Sequence, residues 1–273
     1  MIAQQPSVSF SGNIPANYDT GLGPLFFEPY AVDLAQRISV LRPRKVLELA
    51  CGTGRLTRHL QQTLRGISEI TATDINAAML SFASNELKDE PAIRWDLVDA
   101  VSLPYADNSF NCIVSQFGVM FYSDRPKSYA EAHRVLKPGG LLFCLTWDKR
   151  DNNPAAELAH QTLADFFPAD TPGFYQIPFS YYDERVIHHE LALGGFEEMH
   201  SVVIPLTGFA ATAGAAAQGL LEGTPAFTAI AERDETLLKP LKRELSARLT
   251  ERFGATDLKV PLRARLFVAA KQS

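Results

Sequence analysis

Five residues of this 273-residue chain, Glu48, Gly52, Gly54, Asp74 and Asp99, have types and spacing that suit one chemistry, the holding of a nucleotide-like ligand. Glu48 is a carboxylate inside the apolar run Val46 to Leu49, and a carboxylate buried without a partner is costly. Gly52 and Gly54 follow at once, and Leu56-Thr57-Arg58-His59-Leu60 then opens a helical pattern. A strand, a glycine turn and a helix together present backbone N–H groups and a positive helix end at the carboxyl edge of an open α/β sheet. The glycines let that turn stay tight and approach the ligand closely. Asp74 ends a second strand pattern, Glu69 to Thr73, 22 positions after Gly52. An acid there reaches ribose hydroxyls. Asp99 follows a third strand pattern, Ile93 to Val98.

The elements that must position these groups alternate along the first half of the chain. Phe110 to Gln116 reads as a fourth strand, entered through the turn-rich link Pro104 to Phe110. Ser128 to Leu136 is helical, Lys137-Pro138-Gly139-Gly140 ends that helix, and Leu141 to Trp147 is a fifth strand. Beyond it, Pro154 to Phe167, Asp183 to Leu193 and Lys239 to Phe253 are helical patterns, and Ala210 to Leu221 is a weaker one. Glu198 to Leu206 and Arg263 to Ala270 supply a sixth and a seventh strand. A dinucleotide-binding fingerprint would place a third glycine where Thr57 stands, which counts against a nicotinamide cofactor.

The run Glu48-Leu49-Ala50-Cys51-Gly52-Thr53-Gly54 resembles motif I of the class I S-adenosylmethionine-dependent methyltransferases, acidic-x-Gly-x-Gly-x-Gly, with Ala50 in place of the first glycine. Asp99-Ala100, Leu103 to Phe110, and Glu131-Ala132-His133-Arg134-Val135-Leu136-Lys137-Pro138-Gly139-Gly140 resemble segments of the ubiquinone/menaquinone-biosynthesis type. Asn111 stands where that type usually has Asp. The resemblance covers roughly residues 41–148. It implies a Rossmann-like α/β fold: a seven-stranded, mostly parallel sheet of order 3-2-1-4-5-7-6, the seventh strand antiparallel, with helices on both faces. One methyltransferase domain, 1–273, is expected, with 41–148 as cofactor-binding core. Segments 1–40, 150–195 and 207–259 are expected to cover the carboxyl edge.

The resemblance also assigns roles. Glu48, Ala50, Cys51, Gly52 and Gly54 would surround the methionine part of S-adenosylmethionine, whose demethylated product is S-adenosylhomocysteine. Asp74 would take the ribose hydroxyls and Asp99 the adenine amine, with Ala100 giving a backbone contact. Ile75, Met79, Gln116, Phe117 and Tyr18 complete the expected cofactor set. The substrate would be a small, partly apolar molecule near Tyr18, Met120, Trp147 and Phe174, an assignment favoured by the aromatic stretch Phe166 to Tyr182.

Phe117 and Met120 fit a core as well as a pocket. The helix pattern Pro29 to Val40 reads as one packed on the sheet, while Tyr18 fits a lid and a fixed helix entry equally. Residues 1–17 read as a mobile arm, and Ile14 to Tyr30 as a lid ordered by ligand. His59, His133, His160, His188, His189 and His200 show no partner or metal-like spacing, so no catalytic base and no metal is assigned.

Composition narrows the alternatives. A net charge of -5 counts against a nucleic-acid surface, and no apolar run is long enough to span a membrane. Cys51, Cys112 and Cys144 form no CxxC and read as buried thiols, so the cytoplasm is the expected compartment. A nucleic-acid or protein methyltransferase, and a cofactor-binding partner protein without turnover, remain the other readings. The oligomeric state is not legible.

Overall fold

The computed structural model describes residues 14–90 and 92–272; positions 1–13 of the expected arm lie outside the described residues. The chain enters through α1 (Ile14–Asn17), winds as a π-helix over Tyr18–Phe27 and continues as α2 (Glu28–Leu41). The expected lid is therefore one continuous helical lead. Then follow β1 (Lys45–Leu49), α3 (Arg55–Thr63), β2 (Glu69–Asp74), α4 (Ala77–Glu86), β3 (Ile93–Leu97) and β4 (Phe110–Gln116). The chain goes on through α5 (Arg125–Val135), β5 (Leu136–Trp147), α6 (Pro154–Phe166), α7 (Glu184–Leu193) and β6 (Glu198–Thr212). It closes with α8 (Ala213–Glu222), α9 (Ala226–Asp234), α10 (Leu238–Phe253) and β7 (Thr256–Ala270).

The seven strands form one sheet of order β3-β2-β1-β4-β5-β7-β6, as the resemblance implies. β1 to β5 pair in parallel, and β7 runs antiparallel between β5 and β6. β1 lies central, with Glu48 in register with Ala72 on one side and Val114 on the other. That placement buries a carboxylate in the sheet. Side-chain caps set several helix starts: Asn76 accepts from the N–H groups of Ala78 and Met79, and Asp124 accepts from that of Lys127.

Three boundaries differ from the sequence reading. Lys137–Gly140 lies within β5, where the register against β4 shifts between Phe110 and Cys112, so α5 ends at Val135 without a separate turn. β6 and β7 each run 15 residues, well beyond Glu198–Leu206 and Arg263–Ala270. Ala210–Thr212 is therefore strand, and α8 begins at Ala213. The alternation Leu258, Val260, Leu262, Ala264, all buried, carries β7 outward. β5 pairs with β7 only as far as Trp147 opposite Ala264, so the remainder of the β6–β7 hairpin rises past the carboxyl end of β5.

The hairpin extension, α8 and α10 form the cover under which the helical lead lies. A Cβ on Gly21 would come within 2.6 Å of the Gly219 Cα, so lead and α8 meet backbone to backbone. Among the described residues no helix is long and apolar enough to cross a membrane.

Candidate functional site

The turn after β1 is built from left-handed backbone at Ala50 (φ 55°), Gly52 (φ 57°) and Gly54 (φ 81°). Ala50 holds a conformation that costs an ordinary residue about 1 kcal/mol. Gly118, just beyond β4, makes room for it: a Cβ at Gly118 would stand 2.5 Å from the Ala50 methyl. The Cys51 N–H donates to the Thr73 carbonyl at 2.9 Å and fastens the turn to β2.

Asp74 organises this turn from the end of β2. Its Oδ2 accepts the Gly52 N–H at 2.9 Å and its Oδ1 accepts the Asn76 N–H at 2.8 Å. Burial pushes its carboxyl above the usual carboxylate range, against those backbone donors. Glu48 is 2% exposed and accepts the Thr57 hydroxyl at 2.6 Å. Burial pushes Glu48 up to about 8, the Thr57 bond opposes this, and the Asp74 charge adds to it. Thr57, which the sequence reading used only as a missing glycine, is thus the partner that the buried carboxylate requires.

Above the turn the surface is open. A Cβ at Gly52 would meet nothing within 4 Å, and Ile75 is 68% exposed beside Asp74. Asp99 uses one carboxylate oxygen to accept the Val101 N–H at 3.0 Å. Met79 and Ala100 are buried. Gln116 donates from Nε2 to the Phe27 carbonyl at 3.0 Å, while its Oε1 is buried without a hydrogen bond.

Next to this edge lies a cavity of about 60 Å³, and nine of the thirteen residues lining it are aromatic. Tyr18, Phe117, Trp147 and Phe174 are among them, so the structure brings together three of the four expected substrate residues. Met120 stands apart: it is 1% exposed and belongs to the core, not to the cavity wall. Phe117 and Trp147 stack at 3.7 Å, and Tyr18 stacks on Phe27 at 4.8 Å. Phe117 holds φ 55°, a strained setting for a bulky residue and one that recurs at functional sites. Among the described residues no charged side chain and no histidine lines the cavity.

Tyr18 belongs to both regions. It lines the cavity, and its phenol is pushed upward by burial and by the Asp74 charge. The neighbouring Asp19 ties the lead to the turn. It accepts the Thr53 hydroxyl at 2.8 Å and pairs with Arg55 at 3.1 Å, while Arg55 also donates to Glu28 at 2.8 Å. Glu28 further meets His59 at 2.7 Å, which gives that histidine a partner remote from the cavity. Asp19, Arg55 and Glu28 escaped the sequence reading. Their only signal was charge flanking the turn and the aromatic lead. Among the described residues no group of three or more His, Cys, Asp or Glu could hold a metal ion.

The sequence model of the ubiE/COQ5 methyltransferase family matches residues 30–169, more than half of the chain. The chain belongs to that family. A ubiquinone/menaquinone biosynthesis C-methyltransferase UbiE of Legionella pneumophila (strain Corby) is 42% identical over 112 residues, 40% of this chain and 45% of that protein. The chain thus spans less than half the length of this relative. As a ubiE/COQ5 family member it also shares its fold with phosphoethanolamine N-methyltransferase 2 of Haemonchus contortus, solved with phosphomonomethylethanolamine and S-adenosylhomocysteine. That likeness has TM-score 0.59 and 17% identity, over 95% of this chain and 57% of that one. The [4+2]-cyclase SpnF is equally similar, with TM-score 0.59 and 16% identity, over 95% and 94%. The ubiE/COQ5 fold is therefore shared by proteins named for different reactions.

Proposed function

We propose that the chain transfers a methyl group from S-adenosylmethionine to a small, partly apolar molecule. One observation carries the reading: the acid-lined turn at β1 and β2 meets an aromatic cavity at β4 and β5, with Tyr18 shared between them. The residues present suit the cofactor, because the backbone over Gly52 is open and Ile75 offers exposed apolar surface beside Asp74. Backbone N–H groups, among them those of Gly52 and Asn76, orient the Asp74 carboxylate and leave it acceptor capacity for the ribose hydroxyls. Asp99 has a second oxygen that would accept from the adenine amine, and Ala100 would give the ring a backbone contact. Glu48, Ala50, Cys51, Gly52 and Gly54 would hold the methionine part, and Met79, Gln116 and Phe117 would complete the cofactor site.

When bound, S-adenosylmethionine supplies an electrophilic methyl on a positively charged sulfur. The chain's contribution is then alignment and exclusion of water by Tyr18, Phe117, Trp147 and Phe174. Burial keeps the phenols of Tyr18 and Tyr175 protonated, so neither serves as a proton acceptor at neutral pH. On this reading the acceptor arrives with its nucleophilic atom ready, having lost any proton before it enters the cavity.

This reading takes 1–273 as one methyltransferase domain, with 41–148 as its cofactor core. It places the protein in the cytoplasm, in keeping with Cys51, Cys112 and Cys144 being free and buried. It names no nucleic-acid partner, in keeping with the charge of -5. A cofactor-binding partner protein without turnover is the second reading, kept because the fold is shared with a protein named for a reaction other than methyl transfer. Calorimetry tests the cofactor assignment. S-adenosylhomocysteine should bind and NADH should not, and the reverse would overturn the proposal.

A further inference from the structure

Behind the cavity lies a polar cluster that the cofactor turn does not use. The Tyr181 hydroxyl donates to Glu190 Oε2 at 2.5 Å and lies 3.2 Å from the Tyr129 hydroxyl. Arg125 Nε donates to the same Glu190 oxygen at 3.0 Å, and its guanidinium sits 4.4 Å over the Tyr181 ring. Tyr129 continues the chain inward to Cys144 Sγ at 3.8 Å. Burial and the Glu190 carboxylate push the Tyr181 phenol upward, which keeps it a donor. Arg125 and Tyr129 come from α5, Glu190 from α7 and Cys144 from β5, whereas Tyr181 belongs to the link between α6 and α7.

That link is the outer wall of the cavity. Phe179, two residues before Tyr181, lines the cavity with its ring 5.7 Å from that of Trp147. The far end of the wall is fastened separately, by the Tyr175 hydroxyl donating to the Leu220 carbonyl at 2.6 Å. Tyr181 itself does not line the cavity. Tyr181 is 4% exposed, and its partners Arg125, Tyr129 and Glu190 stand on helices.

We infer that Tyr181 is a positioning residue for the acceptor pocket, anchoring the wall to Glu190 and Tyr129 so that Phe179 is held against Trp147. The inference rests on the reading of the cavity as the acceptor site. A hydrogen bond to a charged partner holds a wall far better than apolar contact alone, since it fixes direction as well as distance. Loss of the Tyr181 hydroxyl leaves the ring under Arg125 but frees the wall to drift from Trp147.

The chain has two tryptophans, so Trp95→Phe makes Trp147 the sole reporter. In that background, with S-adenosylhomocysteine present, 2-naphthol is titrated against Trp147 fluorescence. The parent should show saturable quenching. Tyr181→Phe should bind 2-naphthol about fivefold more weakly and expose Trp147 more to acrylamide, with S-adenosylhomocysteine affinity unchanged within about twofold. Glu190→Gln, which keeps an acceptor for the phenol, should stay near the parent, and Glu190→Ala should follow Tyr181→Phe. Equal naphthol binding by the parent and Tyr181→Phe overturns the inference and leaves the pocket reading standing. Loss of S-adenosylhomocysteine binding in Tyr181→Phe makes the residue merely structural, which also overturns it. Failure of the parent to bind naphthol sinks the pocket reading itself, and the inference with it.

Discussion

Thr57 Oγ1 donates to Glu48 Oε2 at 2.6 Å, joining the first turn of α3 to the one carboxylate set inside the central strand. The bond explains two departures together. The helix has no glycine at position 57 because the hydroxyl there serves the buried acid.

Removing that donor is the first prediction. Thr57→Val preserves shape and leaves Glu48 short of a partner, which should cost about 1–3 kcal/mol in urea unfolding. The pairing with Glu48→Gln should be non-additive, and a double-mutant cycle measures it.

The Glu48 carboxyl also predicts a pH dependence. Its folded value of about 8 lies above the ordinary 4.5, so from about pH 4.5 to 8 the folded chain keeps a proton that the unfolded chain has lost. The stability tied to that proton is full below the unfolded value and falls as pH rises through the folded one. Glu48→Gln removes this dependence, so its stability relative to wild type should improve steadily between pH 5 and 8. A constant difference across that range would contradict the assignment.

The turn offers a compensation test. Gly118→Ala forces a methyl onto that of Ala50 and should lower stability by about 1–3 kcal/mol. Adding Ala50→Gly should restore part of it. The recovery is incomplete because Ser115 Oγ would still lie 2.9 Å from the new Cβ. Thermal melts of the two single variants and the double variant decide the matter.

Cofactor affinity should separate two acids. On the proposed assignment Asp74→Ala would lose the ribose contacts and the hold on the Gly52 N–H, and Asp99→Ala the single adenine-amine contact and the hold on the Val101 N–H. Calorimetry with S-adenosylhomocysteine should show Asp74→Ala weakened by roughly ten- to a hundredfold and Asp99→Ala by less.

Alternating strand and helix patterns, broken by Gly and Pro, placed the elements in the sequence, and the resemblance carried by residues 48–54, 99–110 and 131–140 implied their order in the sheet. Glu48 stood out as a carboxylate inside an apolar run, and Asp74 and Asp99 as acids at or just past the ends of strand patterns. The π-helical course of Tyr18–Phe27 was not legible, since its mean pattern is that of any aromatic segment and tertiary contacts at Gly21 and Asp19 fix it. Nor was the far end of the β6–β7 hairpin, where Pro205 and Pro261 interrupt the strand patterns. Met120 and Phe117 had equal claims on the pocket by position, and only packing puts one in the core and the other on the wall.

Methyl transfer itself is the most direct measurement. The protein is incubated with methyl-labelled S-adenosylmethionine and a small-molecule extract, and label is followed by mass spectrometry beside Trp147→Ala. Label is expected in one or a few small, partly apolar products, strongly reduced in Trp147→Ala while S-adenosylhomocysteine binding persists. Label found only in protein or nucleic acid, or none at all from a chain that binds the cofactor, would contradict the proposal.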